Sequence, residues 1–314
     1  MNRRDFILSA GAATALLARP ARAAGLPGQI PVIDTHIHLY DPTRTKGIPW
    51  PPKTDSLLYK PHLPENFRAI VASFHVVGAV VVEASDWVED NQWILDLAKA
   101  NPEIVGFIGN LRPGQPEFAT HLRRFSADPL FRGLRLKSSD LKNLGQPAFD
   151  SDIRRLADTG LAVDVLGGPA ILAPAVRLAQ LAPAMRVIVD HVPFKDWDGD
   201  VASLRAGLAG VAAQSNIFLK ISELVRRVNG EIITDPAYYR PALDTLLALI
   251  GPDRGLYGSN WPVSDRVAPY AAVHQVAHAY FATQSRDVAE KYFWRNSQAA
   301  YRWLPRGPAT ALAP

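Results

Sequence analysis

Eight short apolar segments alternate with segments of helical character along almost the whole chain. The apolar segments are rich in valine and isoleucine and have few polar interruptions, which is typical of parallel strands that are buried on both faces. The predicted strands are residues 31–39, 78–83, 104–109, 131–136, 161–166, 186–190, 217–221 and 255–258. The predicted helices are residues 65–75, 90–100, 117–127, 150–159, 169–181, 201–213, 236–250, 268–282 and 286–303. Eight strand–helix units predict a single-domain α/β fold, the (β/α)8 TIM barrel; an open doubly wound sheet is disfavoured because no glycine-rich phosphate turn follows the first strand.

The N-terminal segment differs from this pattern. A twin arginine, Arg3-Arg4, precedes an apolar run that ends near Leu17, and Ala21-Arg22-Ala23 offers a small-x-small cleavage site. These features resemble a twin-arginine export signal over residues 1–23, with the barrel domain in residues 24–314. We therefore expect a periplasmic or secreted protein that engages the twin-arginine translocation machinery. The apolar run is too short to span a bilayer, so we expect no membrane anchor.

The net charge of the chain gives no sign of a nucleic-acid or anionic-membrane partner. The net charge is +4 at pH 7, but residues 1–23 carry four arginines and one aspartate, so the remainder carries only +1. This balance does not indicate nucleic acid or an anionic membrane as a partner. With no cysteine, the chain has neither a disulfide nor a thiolate metal site.

Two histidines stand at the end of the first predicted strand. His36 and His38 are two residues apart, so on an extended backbone both side chains leave the same face. Two converging imidazoles can hold a divalent metal or polarise a substrate.

Polar residues also end most of the other predicted strands. Since the carboxyl ends of barrel strands meet at one face, these residues predict a common pocket. For several residues a structural role is the alternative: Glu83 as a rim partner of Arg135, Asp164 as a structural acid, Asp190-His191 as a turn pair, and Lys220 as a solvated rim lysine. The residues at the strand ends are His36, His38, Glu83, Arg135, Asp164, Asp190, His191, Lys220, Ser222 and Asn260.

Taken together, these motifs resemble the amidohydrolase-related TIM barrels over residues 32–304. The resemblance is to the branch with sugar lactonases, 2-pyrone-4,6-dicarboxylate lactonase and 4-sulfomuconolactone hydrolase. It rests on Val32-Ile33-Asp34-Thr35-His36-Ile37-His38-Leu39-Tyr40-Asp41-Pro42, Val82-Glu83-Ala84, Gly133-Leu134-Arg135, Val189-Asp190-His191-Val192-Pro193, Leu219-Lys220-Ile221-Ser222-Glu223-Leu224, Tyr257-Gly258-Ser259-Asn260-Trp261-Pro262-Val263 and the terminal helix over residues 296–301.

The resemblance implies hydrolysis of a small-molecule substrate, a small cyclic ester such as a sugar lactone or carboxylated lactone, at the barrel mouth. It implies none or one divalent ion, Zn²⁺ or Mn²⁺, and a homodimer. The implied catalytic residues are His36, His38, Asp190, His191 and Asn260. The implied substrate-binding residues are Glu83, Arg135, Asp164, Lys220, Ser222 and Trp261. The implied metal ligands are His36, His38 and His191.

Asn260 departs from the family pattern, in which the eighth strand usually ends in aspartate. An amide cannot accept a proton as a base and is a weaker metal ligand than a carboxylate. Three alternatives remain open: another group (Glu83, Asp190, His191 or His36) acts as the base, the protein is a metal-dependent decarboxylase or amidohydrolase, or it is a non-catalytic ligand-binding barrel.

Overall fold

The computed structural model describes residues 30–194 and 199–306, so the predicted export signal lies outside the described residues. The predicted barrel is confirmed: eight parallel strands surround a common axis, each paired with the next strand in the chain. Strands β1 and β8 meet through two backbone bonds, from Asn260 N to His36 O and from His38 N to Trp261 O, both 2.8 Å long. The strands are β1 Val32–Ile37, β2 Val76–Val82, β3 Ile104–Gly109, β4 Phe131–Lys137, β5 Ala162–Leu166, β6 Val187–Val189, β7 Ile217–Ile221 and β8 Gly255–Tyr257.

Helices follow the strands and cover the outside of the barrel. The predicted helices are present with small shifts at their ends, and Pro169–Ile171 is a 3-10 turn before its helix. The last predicted helix contains a π-helical segment, Lys291–Arg295. A two-stranded antiparallel ribbon, Arg227–Val228 with Glu231–Ile232, follows β7. The helices are α1 Pro64–Val71, α2 Asp90–Ala100, α3 Phe118–Ser126, α4 Pro147–Asp158, α5 Leu172–Leu181, α6 Val201–Ala212, α7 Pro236–Ile250, α8 Tyr270–Phe281, α9 Arg286–Glu290 and α10 Asn296–Tyr301.

The period of two along each strand explains why charged residues reach the interior. Ala162, Ile188 and Phe218 belong to one apolar cluster in β5, β6 and β7. The residues two positions later in these strands, Asp164, Asp190 and Lys220, share the same side of each strand. A polar layer therefore lies directly above an apolar one.

The C-terminal segment closes the amino-terminal end of the barrel. Tyr301 and Trp303 belong to the same apolar cluster as the lower strand residues. The chain is tied there by a bond from Leu304 N to Val105 O and by Arg186 Nε, which donates to Ala300 O. Within the described residues, no helix has the length and apolar character needed to cross a bilayer.

Candidate active site

A cavity of about 670 Å³ opens at the carboxyl ends of the strands. Five of the predicted site residues line it: His38, Glu83, Arg135, His191 and Asn260. The cavity is therefore built from strand ends that are far apart in sequence, as the barrel fold requires. Its wall is completed by other residues, among them Trp50, Asp86, Lys137, Phe194 and Glu223.

The two histidines of β1 converge as their spacing predicts. Nε2 of His36 lies 3.2 Å from Nε2 of His38. Gly258 makes room for them, because a Cβ at this position would lie 2.9 Å from Cβ of His36. The close approach of β8 to β1 thus depends on a residue without a side chain.

Hydrogen bonds define the protonation of this pair. Nδ1 of His38 lies 2.9 Å from the carbonyl oxygen of Val82, which can only accept, so Nδ1 carries the proton and Nε2 is an acceptor. His36 then donates from Nε2 to His38, and its Nδ1 accepts from Lys220 Nζ at 3.2 Å. Burial, and then the charge of Lys220, holds the pKa of His36 well below its usual value. Burial, and then the charge of Arg135, lowers the pKa of His38 to about 3, so both rings are neutral at pH 7.

Lys220 lies beneath the cavity, with none of its side chain exposed. Its ammonium group has three neighbours: Asp164 Oδ2 at 2.5 Å, Asp190 Oδ1 at 3.0 Å and the imidazole of His36. We call Lys220, Asp164, Asp190 and His36 the floor cluster. Burial raises the pKa of Asp164 to about 6. Burial also disfavours the charge of Asp190, but Lys220, His36 and His191 together outweigh it and hold the pKa of Asp190 well below its usual value.

Arg135 and Glu83 form a buried ion pair in the wall of the cavity. Nε of Arg135 donates to Glu83 Oε1 at 2.9 Å, and Nη2 donates to the carbonyl oxygen of Glu83 at 2.6 Å. Nη1 of Arg135 donates to none of the described residues. The pairing proposed from sequence is therefore present, and one end of the guanidinium group remains available to a ligand.

Three successive strand ends bring polar side chains to the opposite wall with unusual backbone angles. His191, Glu223 and Asn260 have φ of 61°, 50° and 60°. Non-glycine residues adopt such angles rarely, and His75, Asn229 and Arg302 do so elsewhere in this chain. Asn260 donates from Nδ2 to Glu223, and its Oδ1 lies 3.2 Å from Nε2 of His38. Nδ1 of His191 lies 2.9 Å from Ser222 Oγ.

The sequence model of the Amidohydrolase family matches residues 33–303. The chain belongs to this family. The family predicted from the strand-end motifs is thereby confirmed, and the protein is a hydrolase.

Individual relatives agree with this assignment. The chain is similar to L-fucono-1,5-lactonase of Burkholderia ambifaria, with 26% identity over 238 residues, which cover 74% of this chain and 80% of the relative. Among solved structures it is similar to an amidohydrolase from Burkholderia multivorans with bound zinc (TM-score 0.77, 21% identity, covering 87% of this chain and 100% of the other). It is also similar to a putative 2-pyrone-4,6-dicarboxylic acid hydrolase from Pseudomonas putida (TM-score 0.69, 18% identity, covering 90% and 99%).

A group of metal-ligating residues lies at the edge of the floor cluster. His36, Asp190 and His191 are buried and offer ligand atoms within 4.8 Å of one another. The set predicted from sequence has His38 in place of Asp190, and His38 is not part of this group. Oδ1 of Asp190 is ion-paired with Lys220, Oδ2 of Asp190 accepts no hydrogen bond from a described residue, and imidazole with carboxylate suits Zn²⁺ or Mn²⁺. The donor set therefore fits one divalent ion. The positive charge of the nearby Lys220 ammonium would repel that ion and weaken its binding.

Four residues predicted to bind substrate do not line the cavity. Asp164 and Lys220 lie in the floor beneath it, and Ser222 is buried behind His191. Trp261 is 1% exposed, with its ring packed against His62 and another aromatic side chain. Substrate binding by these four residues therefore stays a prediction, since none of them borders the cavity.

Glu223 and Trp50 are among the cavity residues that the site prediction did not include. Glu223 belongs to a quoted motif but stands beyond the end of β7, so the strand-end pattern gave it no role. Trp50 lies in the long proline-rich loop after β1, and its ring packs edge-on to His38 with 6.1 Å between centroids. A loop of this length with several aromatic residues does indicate a cover over a site, although not which ring enters it.

Proposed function

We propose that the protein hydrolyses the ring ester of a small lactone, a sugar lactone or a carboxylated lactone, at the mouth of the barrel. The observation that carries the proposal is the cavity itself. It surrounds one space with the imidazoles of His38 and His191, a guanidinium group with a free donor, and a carboxylate beside an amide. Its volume of about 670 Å³ lies in the usual range for small-molecule sites.

The substrate class is supported by the wall that Arg135 forms. A guanidinium group binds carbonyl, carboxylate or hydroxyl oxygens with directed hydrogen bonds, and sugar and carboxylated lactones present such oxygens. The Burkholderia ambifaria relative is named for a sugar lactone and the Pseudomonas putida structure for a dicarboxylated one. Both names therefore favour an oxygen-rich ring ester over a simple alkyl ester.

The residues around the cavity can serve the steps of ester hydrolysis. The free end of Arg135 orients the ring or stabilises the oxyanion as it forms. Nε2 of His38 carries no proton and accepts a hydrogen bond from Nε2 of His36, so His38 borders the cavity as a neutral ring. A divalent ion held by His36, Asp190 and His191 would supply a Lewis acid that polarises the carbonyl group.

A substrate panel tests the proposal. Aldono-1,5-lactones, a pyrone dicarboxylate, an aryl ester and an aromatic carboxylic acid are incubated with purified protein, while acid and CO₂ release are followed. Each reaction is run with added Zn²⁺ or Mn²⁺ and after chelation. We expect at least one lactone to be hydrolysed with kcat/KM on the order of 10⁴ M⁻¹s⁻¹ or more. Turnover of no lactone would contradict the proposal, and CO₂ release alone would favour a decarboxylase.

We further propose that the reaction takes place outside the cytoplasm. The twin arginine and the small-x-small site at residues 21–23 support export, and a mature chain would begin near Ala24. The lack of cysteine is compatible with an oxidising compartment.

A further inference from the structure

Glu223 is the cavity carboxylate to which the sequence gives no role. We propose that it is the general base of the reaction, accepting the proton of the attacking water, and that Asn260 is a positioning residue that holds it. This inference rests on the proposed lactone hydrolysis, since it assigns the base of that reaction.

The backbone directs Glu223 toward the cavity. Glu223 follows β7 by two residues, has φ of 50° and lines the cavity together with His38, His191 and Asn260. Glutamate disfavours this left-handed conformation, which glycine adopts without cost. A strained glutamate at the edge of a pocket indicates that its position serves function more than folding.

Asn260 fixes the orientation of the carboxylate. An ionised carboxylate only accepts hydrogen bonds, so the amide must turn Nδ2 toward Glu223 and Oδ1 toward His38, as the structure has it. Oδ1 of Asn260 lies 3.2 Å from Nε2 of His38, and both residues line the cavity beside Glu223. Oδ1 of Asn260 can accept a hydrogen bond from the attacking water next to the carboxylate of Glu223.

The other carboxylates near the cavity are less suited to the role. Both oxygens of Glu83 are engaged, Oε1 by Arg135 and Oε2 by the backbone N–H of Ser85. Asp86 is 56% exposed and paired with Lys137. Asp190 lies in the floor cluster and does not line the cavity. Oε2 of Glu223, in contrast, accepts no hydrogen bond from the described residues.

The proposed step balances without a further reactant. An O–H bond of water breaks, its proton moves to Glu223, and the oxygen bonds to the carbonyl carbon of the lactone. The tetrahedral intermediate collapses with cleavage of the bond between that carbon and the ring oxygen. The leaving ring oxygen takes the proton from the Glu223 carboxylic acid, which returns to the carboxylate, and the product is a hydroxy acid.

The test compares E223Q and E223G with wild type on the best lactone of the panel. Loss of a general base lowers kcat by about 10²–10⁴-fold, and we expect little change in KM. Because φ of 50° suits glycine, E223G should fold with a melting temperature equal to or above that of wild type. E231Q, which removes an exposed carboxylate on the ribbon after β7, should leave kcat unchanged.

Two rescue experiments separate a base from a structural residue. Formate, a small carboxylate that can enter the space left in E223G, should raise its kcat. In the double variant E223Q/N260D the amide is at position 223 and the carboxylate at position 260, so the two hydrogen-bonded groups exchange places. Its kcat should exceed that of E223Q. A wild-type kcat in E223G, or a loss that neither formate nor N260D reverses, would overturn the assignment while the lactonase proposal stands. An inactive wild type would instead overturn both proposals.

Discussion

Replacing Lys220 by methionine should lower the free energy of unfolding by about 3–5 kcal/mol at pH 7. The side chain is fully buried, and its ammonium group is the counter-charge of both Asp164 and Asp190. Methionine fills a similar volume but leaves the two carboxylates buried without that charge. Urea unfolding of wild type and variant, followed by circular dichroism, measures the difference.

A surface lysine provides the matched control. Lys137 also ends a barrel strand, but its side chain is 40% exposed and pairs with Asp86, so Lys137→Met should cost about 0–1 kcal/mol. Without Lys220, the folded pKa of Asp190 should rise above its unfolded value, and that of Asp164, already raised to about 6 by burial, should rise further. Protonation of these aspartates then stabilises the folded variant at low pH, and this stabilisation is lost as the pH rises. The loss in free energy of unfolding caused by Lys220→Met should therefore be smaller at pH 5 than at pH 8. Equal effects of the two substitutions would show that the floor cluster is not a buried ion network.

Replacing Arg135 by methionine should lower kcat/KM for the lactone by about 10²–10³-fold, because a hydrogen-bonded charge that contacts substrate is worth about 2–5 kcal/mol when it is removed. Arg135→Lys should recover little activity, since an ammonium group lacks the planar fork of donors. Steady-state kinetics over a range of lactone concentrations gives these values.

A compensating substitution separates binding from folding at this position. Arg135→Met leaves Glu83, which is 4% exposed, without its partner, so part of the loss could come from destabilisation. In the double variant Glu83→Gln/Arg135→Met the unpaired charge is gone, and thermal stability should return toward that of wild type. If kcat/KM returned with it, Arg135 would have only a structural role.

The barrel and the meeting of the strand ends could be predicted from sequence because both follow from periodicity. His36 and His38 share a face as residues two apart must, and Asp164 and Lys220 stand two residues beyond apolar interior positions. Periodicity does not predict how deeply each of these side chains is buried. From sequence, Lys220 is equally consistent with a solvated lysine at the rim of the barrel. In the structure it is buried between Asp164 and Asp190, because β5 and β6 pack beside β7.

The roles of Glu223 and Trp50 depend on features that local sequence does not specify. The direction of the Glu223 side chain follows from a positive φ, an angle for which glutamate has no preference. Trp50 approaches His38 through the path of a long irregular loop. The asparagine at the end of β8 indicates that another group supplies the base, but the sequence does not indicate that this group is Glu223.

The most direct test of the account is the rate of lactone hydrolysis by wild type, His38→Ala and His75→Ala. His38 lines the cavity and contacts both His36 and Asn260, whereas His75 is exposed at the amino-terminal end of β2. If the strand ends form one catalytic mouth, kcat/KM should fall by about 10²–10⁴-fold in His38→Ala and stay at the wild-type value in His75→Ala. Undiminished hydrolysis by a folded His38→Ala protein would place the reaction elsewhere and contradict the account.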